Sequence, residues 1–311
     1  MMSKSIQQIK ILNVGHGDSS VVYLLSEEKE IEHTVIIDIP DSLKLYTELE
    51  EQMIKTVDLI IITHTDADHC RGLSDFIERF SKVGSIKKLC FNIDRNIPTK
   101  TLGLMLKRVM EYKKILNIIL EPGAISTEIH ERRMIEYNGT ELSIVYPDLA
   151  DVTQAYMEKN TNDMSIVCLL KNTSMQMLFT GDLGSKGWDR LLTKNSTLAC
   201  TIIKMPHHGA FYESGENVKG SEDIIECLKP EVAIISSGQN KKYNHPDKRT
   251  IEMLKNKGIK IYCTQYTKMC NGGICEELRE CNGNISILGR SSSYIVEPEF
   301  NTILKSPACN T

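Results

Sequence analysis

The stretch LIIITHTDADHCRGL, Leu59–Leu73, decides how the chain is understood. Four apolar residues run into a threonine, and His64, Asp66, Asp68 and His69 then fall within six positions. A β-strand cannot continue through them. Its two-residue alternation would bury Asp66 and Asp68 without partners, at a cost of about several kcal/mol each. A cation held at the strand end removes that cost. A single His or Asp after a strand is usually a cap, a turn residue or a solvated side chain. Four of them crowded together point to a metal site.

The same pattern recurs along the chain. Apolar runs end in Gly181-Asp182, in His207-His208-Gly209 and, a loop later, in His245-Pro246. Taken alone, Asp182 is a turn residue, His245-Pro246 a loop and Asp18 a turn cap. Together the clusters supply more donors than the roughly four that one zinc ion takes. Two ions sharing a bridging carboxylate, roughly 3.5–4 Å apart, fit the count better. The candidate metal ligands are His64, Asp66, Asp68, His69, Asp182, His207 and His245.

Around these clusters the chain alternates strand and helix signals. Ile9–Val14, Ser20–Leu25 and Thr34–Ile39 suggest an opening antiparallel meander. Ser42–Lys55 and Leu73–Lys82 have helical spacing, and Val57–Thr63 is a buried strand. Thr101–Leu120 predicts a long helix, a helical insertion ended by Pro122-Gly123. Asn138-Gly139 marks a hairpin. Further strands are expected at Ser165–Leu170, Met175–Thr180, Ile202–Met205 and Val232–Ser236. No repeat or linker divides the chain, so one mixed α/β domain over residues 1–311 is expected.

The composition sets limits. With 311 residues, 41% hydrophobic, the chain can bury a large core. A net charge of -4 gives no overall basic field for nucleic acid, although a local groove can still be basic. No leader and no membrane-length apolar run is recognisable, so a cytoplasmic protein with no membrane contact is expected. The ten cysteines are then expected as free thiols. Cys263, Cys270, Cys275 and Cys281 have the makings of a zinc knuckle but contain no CxxC pair. A hairpin bearing free thiols is the plainer account.

THTDADHCRGL resembles the HxHxDH signature of the metallo-β-lactamase fold, with Asp66 where the second His usually stands. NVGHGDSS (13–20), TNDMSIVCLL (161–170), LFTGDL (178–183), MPHHGA (205–210) and SSGQNKKYNHP (236–246) follow in order. They are similar to the motifs of the metallo-hydrolase domain in competence DNA-uptake proteins of the ComEC type. The resemblance implies an αββα sandwich, two mixed β-sheets flanked by helices, with the site along one edge. It implies that His64 and Asp66 hold one ion, Asp68 and His69 the other, and that Asp182 bridges. The third-motif His of the wider fold falls near Asn162. His207 and His245 would complete the two sites, in an order left open. His208 would contact substrate or protonate the leaving oxygen, unless it merely packs beside the ligands. Departures are His16 for the Gln of VGQGD, Ala210 for the Ser of HHGS and Asn244 for the Gly of YGHP. The segment 263–281 looks like a Cys-rich insertion. A channel for DNA import is not expected.

These features lead to a metal-dependent hydrolase, foremost a phosphodiesterase or nuclease using a hydroxide bridged by two divalent ions, zinc or manganese. Asp66 makes the site harder and so more tolerant of manganese or magnesium. Asp68 is assigned to the catalytic centre. Lys204, Asn240 and Lys241 are substrate-binding candidates, with Lys242, Lys248 and Arg249 beside them; a solvated helix start is the plainer account of that basic run. Tyr212, Tyr243 and Trp188 are candidates for base stacking, or simply for packing. One alternative is a small phosphoester or cyclic nucleotide in a pocket that the 101–120 helix covers as a lid. Another is a metal-stabilised, non-catalytic subunit with protein partners in a multi-component DNA-processing or defence system.

Overall fold

Two runs of alternating apolar residues, one in each half of the chain, build two facing sheets. The computed structural model describes residues 6–93, 100–128, 130–216, 218–238, 245–265, 283–290 and 292–299. β1 (Ile6–Ile11), β2 (Ser20–Leu25) and β3 (Ile31–Ile37) form the expected antiparallel meander. β4 (Thr56–Ile61), β5 (Ser85–Phe91) and β6 (Ile119–Pro122) extend it in parallel. The second sheet starts with β7 (Arg132–Tyr137), β8 (Thr140–Tyr146), β9 (Val167–Lys171) and β10 (Gln176–Phe179), all antiparallel. It continues in parallel through β11 (Ile202–Lys204), β12 (Val232–Ile235) and β13 (Lys260–Cys263). β14 (Ile285–Arg290) and β15 (Ser293–Pro298) return to the free edge of β1.

Three apolar layers hold the sheets and helices together. Ile9, Val22, Val35 and Ile61 of the first sheet meet Leu142, Leu170, Phe179 and Ile234 of the second. On its outer face the first sheet buries Tyr23 and Ile60 against α1 (Ser42–Glu51) and α3 (Leu73–Phe80), which follows the single turn α2 (Ala67–Cys70). α4 (Lys100–Leu116) joins that outer layer through Leu102, Met105 and Val109. α5 (Leu149–Met157) and α6 (Ser185–Lys194) lie on the other side, with α7 (Ser221–Leu228) and α8 (Lys248–Asn256). Trp188, Ile225 and Leu254 pack there against Leu178 and Ile203 of the second sheet. The result is the αββα sandwich that the motifs implied.

Some local expectations need correction. The helix expected to reach Leu120 ends at Leu116, where Asn117 turns left-handed at φ 55°, and the next residues form β6. α4 is therefore the crossover between the parallel strands β5 and β6, not an insertion. Its buried face belongs to the outer layer, so it is no lid over the motif clusters. Asn138 and Gly139 both have positive φ, 47° and 76°, as a tight two-residue hairpin requires. Cys263 closes β13 and is buried; the other three cysteines of the expected knuckle lie outside the described residues. Among the described residues no helix is long and apolar enough to cross a membrane.

Trp188 is fully buried in the outer layer of the second sheet, which removes it as a base-stacking residue. Trp188→Ala is expected to destabilise the protein by about 3–5 kcal/mol. Urea unfolding followed by far-ultraviolet circular dichroism checks this, since the chain has no other tryptophan to report by fluorescence.

Candidate metal centre

The ends of β3 and β4 in one sheet, and of β10, β11 and β12 in the other, come together at one edge. The first sheet brings Asp38, His64, Asp68 and His69, and the second brings Asp182, His207 and His208. Asp182 lies at the middle. Its Oδ1 is 3.1 Å from His69 Nε2, and its Oδ2 is 3.8 Å from both His64 Nε2 and His207 Nε2. His208 Nε2 lies 4.0 Å from the same Oδ2 and 3.3 Å from Asp68 Oδ2. Asp66 Oδ2 stands 3.8 Å from His64 Nε2 on the more open side.

The imidazoles are held from behind. Asp38 Oδ2 takes His69 Nδ1 at 2.8 Å, and its two oxygens accept from Thr63 N and Oγ1 at 2.7 and 2.8 Å. The Ser236 carbonyl accepts from His208 Nδ1 at 3.1 Å. Each contact engages Nδ1 and turns Nε2 toward Asp182, the arrangement by which carboxylates and carbonyls orient metal-binding histidines. Asn162, at the third-motif position, has its side-chain amide 3.4 Å from His207 Nδ1.

Backbone strain supports the same placement. His207 and His208 are consecutive left-handed residues, at φ 48° and 55°, before Gly209 at φ 83°. Such conformations cost about 1–3 kcal/mol each in side-chain-bearing residues and persist where the surroundings impose them. Here they turn both imidazoles into the cluster.

The donor set fits divalent ions. His64 Nε2, His69 Nε2, His208 Nε2 and Asp182 Oδ1 are buried and make no hydrogen bond. Leaving such atoms unsatisfied costs about 1–3 kcal/mol each, a cost that coordination removes. His64, His69 and Asp182 offer one ligand group, and His16, Asp68 and His208 another, each with donor atoms within 4.8 Å of one another.

The charges are strongly coupled. Burial, together with repulsion from His69, pulls His64 down to about 3, so its imidazole is neutral. Burial opposes charge on His208 too, but Asp182, Asp18 and Asp68 outweigh it and push it up to about 10. Asp182 is held well below the usual carboxylate range, since His69 and His208 override its burial. Burial and the neighbouring His207 and His208 lower His245 to about 4. His245 sits beside His207, ring centroids 5.2 Å apart.

Three residues not assigned roles from the sequence belong here. Asp38 ends an apolar strand, the very pattern that singled out His64 and Asp182. Asp18 is no simple turn cap: it is buried and accepts from Lys204 Nζ at 2.7 Å across the two sheets. His16 reaches Asp68. Of the expected substrate contacts, Lys204 is only 2% exposed and committed to Asp18, which takes it out of any groove. Lys248 pairs with Glu252 and Arg249 with Asp247 on the surface of α8, in keeping with a solvated helix start. Tyr212 donates its hydroxyl to the Leu183 carbonyl at 3.1 Å. Asn240, Lys241, Lys242, Tyr243 and Asn244 lie outside the described residues.

Residues 17–88 match the metallo-beta-lactamase superfamily. With the αββα sandwich and the His/Asp donor set, this defines the class: a metal-dependent hydrolase of the metallo-β-lactamase fold. Within it the chain is similar to two competence proteins. It is 25% identical over 236 residues to ComE operon protein 3 of Bacillus subtilis (strain 168), covering 75% of this chain and 26% of that protein. It is 29% identical over 119 residues to competence protein ComA of Neisseria gonorrhoeae, covering 37% of this chain and 16% of that protein. The chain thus spans about a quarter or less of the length of these relatives. Among solved structures it is similar to a diphosphatase of the PhnP family, with TM-score 0.45 and 15% identity over 82% of this chain and 94% of that one. Human tRNase Z, short form, gives TM-score 0.41 and 13% identity over 73% and 91%.

The Lys204–Asp18 pair makes a prediction about stability. Lys204→Met strands a buried carboxylate and is expected to cost about 3–5 kcal/mol at pH 7. Burial raises the carboxyl of Asp18, and Lys204, with His208 and His69, overrides it and holds it low. That contribution is present above the unfolded value of about 3.9 and fades as pH falls below it. Without Lys204 the unpaired Asp18 titrates upward and protonates more readily. The deficit of the variant in urea unfolding should therefore narrow as pH falls from 7 toward 4.

Proposed function

We propose that this chain is a phosphodiesterase acting on nucleic acid at a centre for two divalent cations. The observation that carries the proposal is the convergence of unsatisfied buried donors from both sheets on Asp182. His64, Asp66 and His207 would hold one ion, and Asp68, His69 and His208 the other, with Asp182 shared. This gives His208 a ligand's place. Its Nδ1 is committed to the Ser236 carbonyl, and its Nε2 faces inward from full burial, a poor position for a proton donor to a leaving group. Asn162 would orient His207 rather than ligate. His245 stays on the rim beside His207, where a substrate would pass.

When bound, such ions supply Lewis acidity and make water acidic enough to serve as a nucleophile near neutral pH. The protein's own part is geometric. Asp38 and Ser236 fix the tautomers of His69 and His208, and the Asp182 carboxylate keeps both halves of the centre at one spacing. Asp66, a carboxylate where the wider fold has an imidazole, favours manganese alongside zinc. The outer-layer position of α4 removes the lid that a small phosphoester pocket called for, which favours a polymeric substrate.

The test is hydrolysis of single- and double-stranded DNA, RNA and bis-p-nitrophenyl phosphate by the metal-loaded protein, with zinc, manganese or magnesium. The double variant Asp68→Ala, His69→Ala is expected to lose at least about 10²-fold in rate, since the charge stabilisation removed is worth several kcal/mol. Polymer cleavage by the parent supports the proposal. Hydrolysis of the small ester alone moves the substrate to small phosphoesters. Inactivity with ions bound, together with capture of a protein partner, would replace catalysis by the binding role.

A further inference from the structure

We propose that His16 is a metal ligand, giving its Nε2 to the ion held by Asp68 and His208. The inference rests on the two-ion centre proposed above and adds to it a donor from the glycine turn between β1 and β2.

His16 Nε2 is 3.0 Å from Asp68 Oδ2, and His208 Nε2 is 3.3 Å from that same oxygen. The two rings are neighbours, tilted at 44° with centroids 4.9 Å apart. Donors bound to one zinc ion at about 2.0–2.2 Å lie roughly 3 Å from one another, so this spacing suits a shared cation; with His69 and Asp182, His16 would make that ion five-coordinate. The other two members of the trio are already committed: Asp68 heads α2, and His208 is anchored through Nδ1 to Ser236. His16 completes them from the third side, half-buried at the mouth.

Its position is not an accident of a loose loop. Gly17, at φ 137°, passes so close to α2 that a Cβ there would meet the Asp68 carbonyl oxygen at 2.5 Å. The next amide, of Asp18, donates to that carbonyl at 3.2 Å. From the other sheet, Gly238 presses on the turn: a Cβ there would lie 2.2 Å from the Gly15 carbonyl carbon and 2.3 Å from His16 N. The backbone of His16 is therefore clamped between the two halves of the centre. That preorganisation is what a ligand needs. In the competence-type motif this position carries Gln, whose neutral amide is a weak donor to zinc. An imidazole here should make the second ion prefer zinc or another late transition metal over magnesium.

The experiment uses the full chain stripped of metal by chelation. Zinc, manganese, cobalt(II) and magnesium are titrated by calorimetry, and cobalt binding is followed by visible absorption, for the parent, His16→Gln and His16→Asp. The parent is expected to bind two ions. His16→Gln should bind the weaker zinc at least about tenfold less tightly, given that losing even an outer partner of a ligand costs about 10–100-fold. Its cobalt spectrum should change with the lost nitrogen, and its magnesium affinity should stay close to the parent's. His16→Asp should recover the second ion with preference shifted toward manganese. Thermal melting of the metal-free variants is expected to match the parent, and the rise on adding zinc to be smaller for His16→Gln. Two zinc ions bound by His16→Gln with unchanged affinity and cobalt spectrum would overturn the role of His16 while leaving the two-ion centre intact. A parent that binds no ion would overturn the centre itself.

Discussion

A buried carboxylate ringed by imidazoles, Asp182, is the constraint around which this edge of the molecule is organised. It is 3% exposed and reaches toward His64, His69, His207 and His208. In an apolar interior a lone carboxylate would protonate, but the positive charge on neighbouring imidazoles keeps it ionised. The same attraction holds protons on His208 that a cation must displace. Metal and proton thus compete for one set of lone pairs, and the protein tips the balance by fixing the opposite nitrogen of each ring.

That fixing depends on the sandwich. Asp38 belongs to the first sheet, with His69 and Thr63, while Ser236 belongs to the loop after β12 in the second. The two sets meet only if the sheets face each other in one register. The Asp18–Lys204 pair secures this at the site itself, joining the β1–β2 turn to the end of β11. A buried ion pair is a poor source of net stability against an apolar alternative. Here it ties the turn carrying His16 to β11, beside His208.

The strands and the main cluster were legible because each was written locally: an apolar run, then carboxylates and imidazoles that no strand interior tolerates. The pairing of Asp18 with Lys204 was not, since the partners are 186 residues apart and each has an ordinary local context. A lysine beside a histidine turn suggests a phosphate groove until the opposite sheet is in place. His207 and His208 could not be told apart either. Two adjacent left-handed residues send their side chains by backbone geometry that no periodicity records. Ile118–Leu120 fitted the helix pattern as well as a strand; only Asn117, which is left-handed, and Ile118 separate α4 from β6.

Two of the departures from the usual motifs, Asp66 beside His64 and His16 beside Asp68, act in opposite directions. Asp66 puts a carboxylate where the wider fold places an imidazole, beside His64. It adds negative charge to that half and shifts it toward harder ions. His16 puts an imidazole where the competence-type motif places an amide, beside Asp68. As the proposed ligand, it would add a nitrogen donor to the other half. Imidazole donors are thus redistributed across the centre rather than lost, while one half gains a fixed charge. Such a centre is asymmetric by composition. The half bounded by His64 and Asp66 is the more open, with the Asp66 side chain 38% exposed. The half bounded by Asp68, His69 and His208 is the more enclosed and richer in nitrogen. On the proposed function, a phosphate arriving from solvent would meet the more open half first, and cations bound there would make its approach favourable.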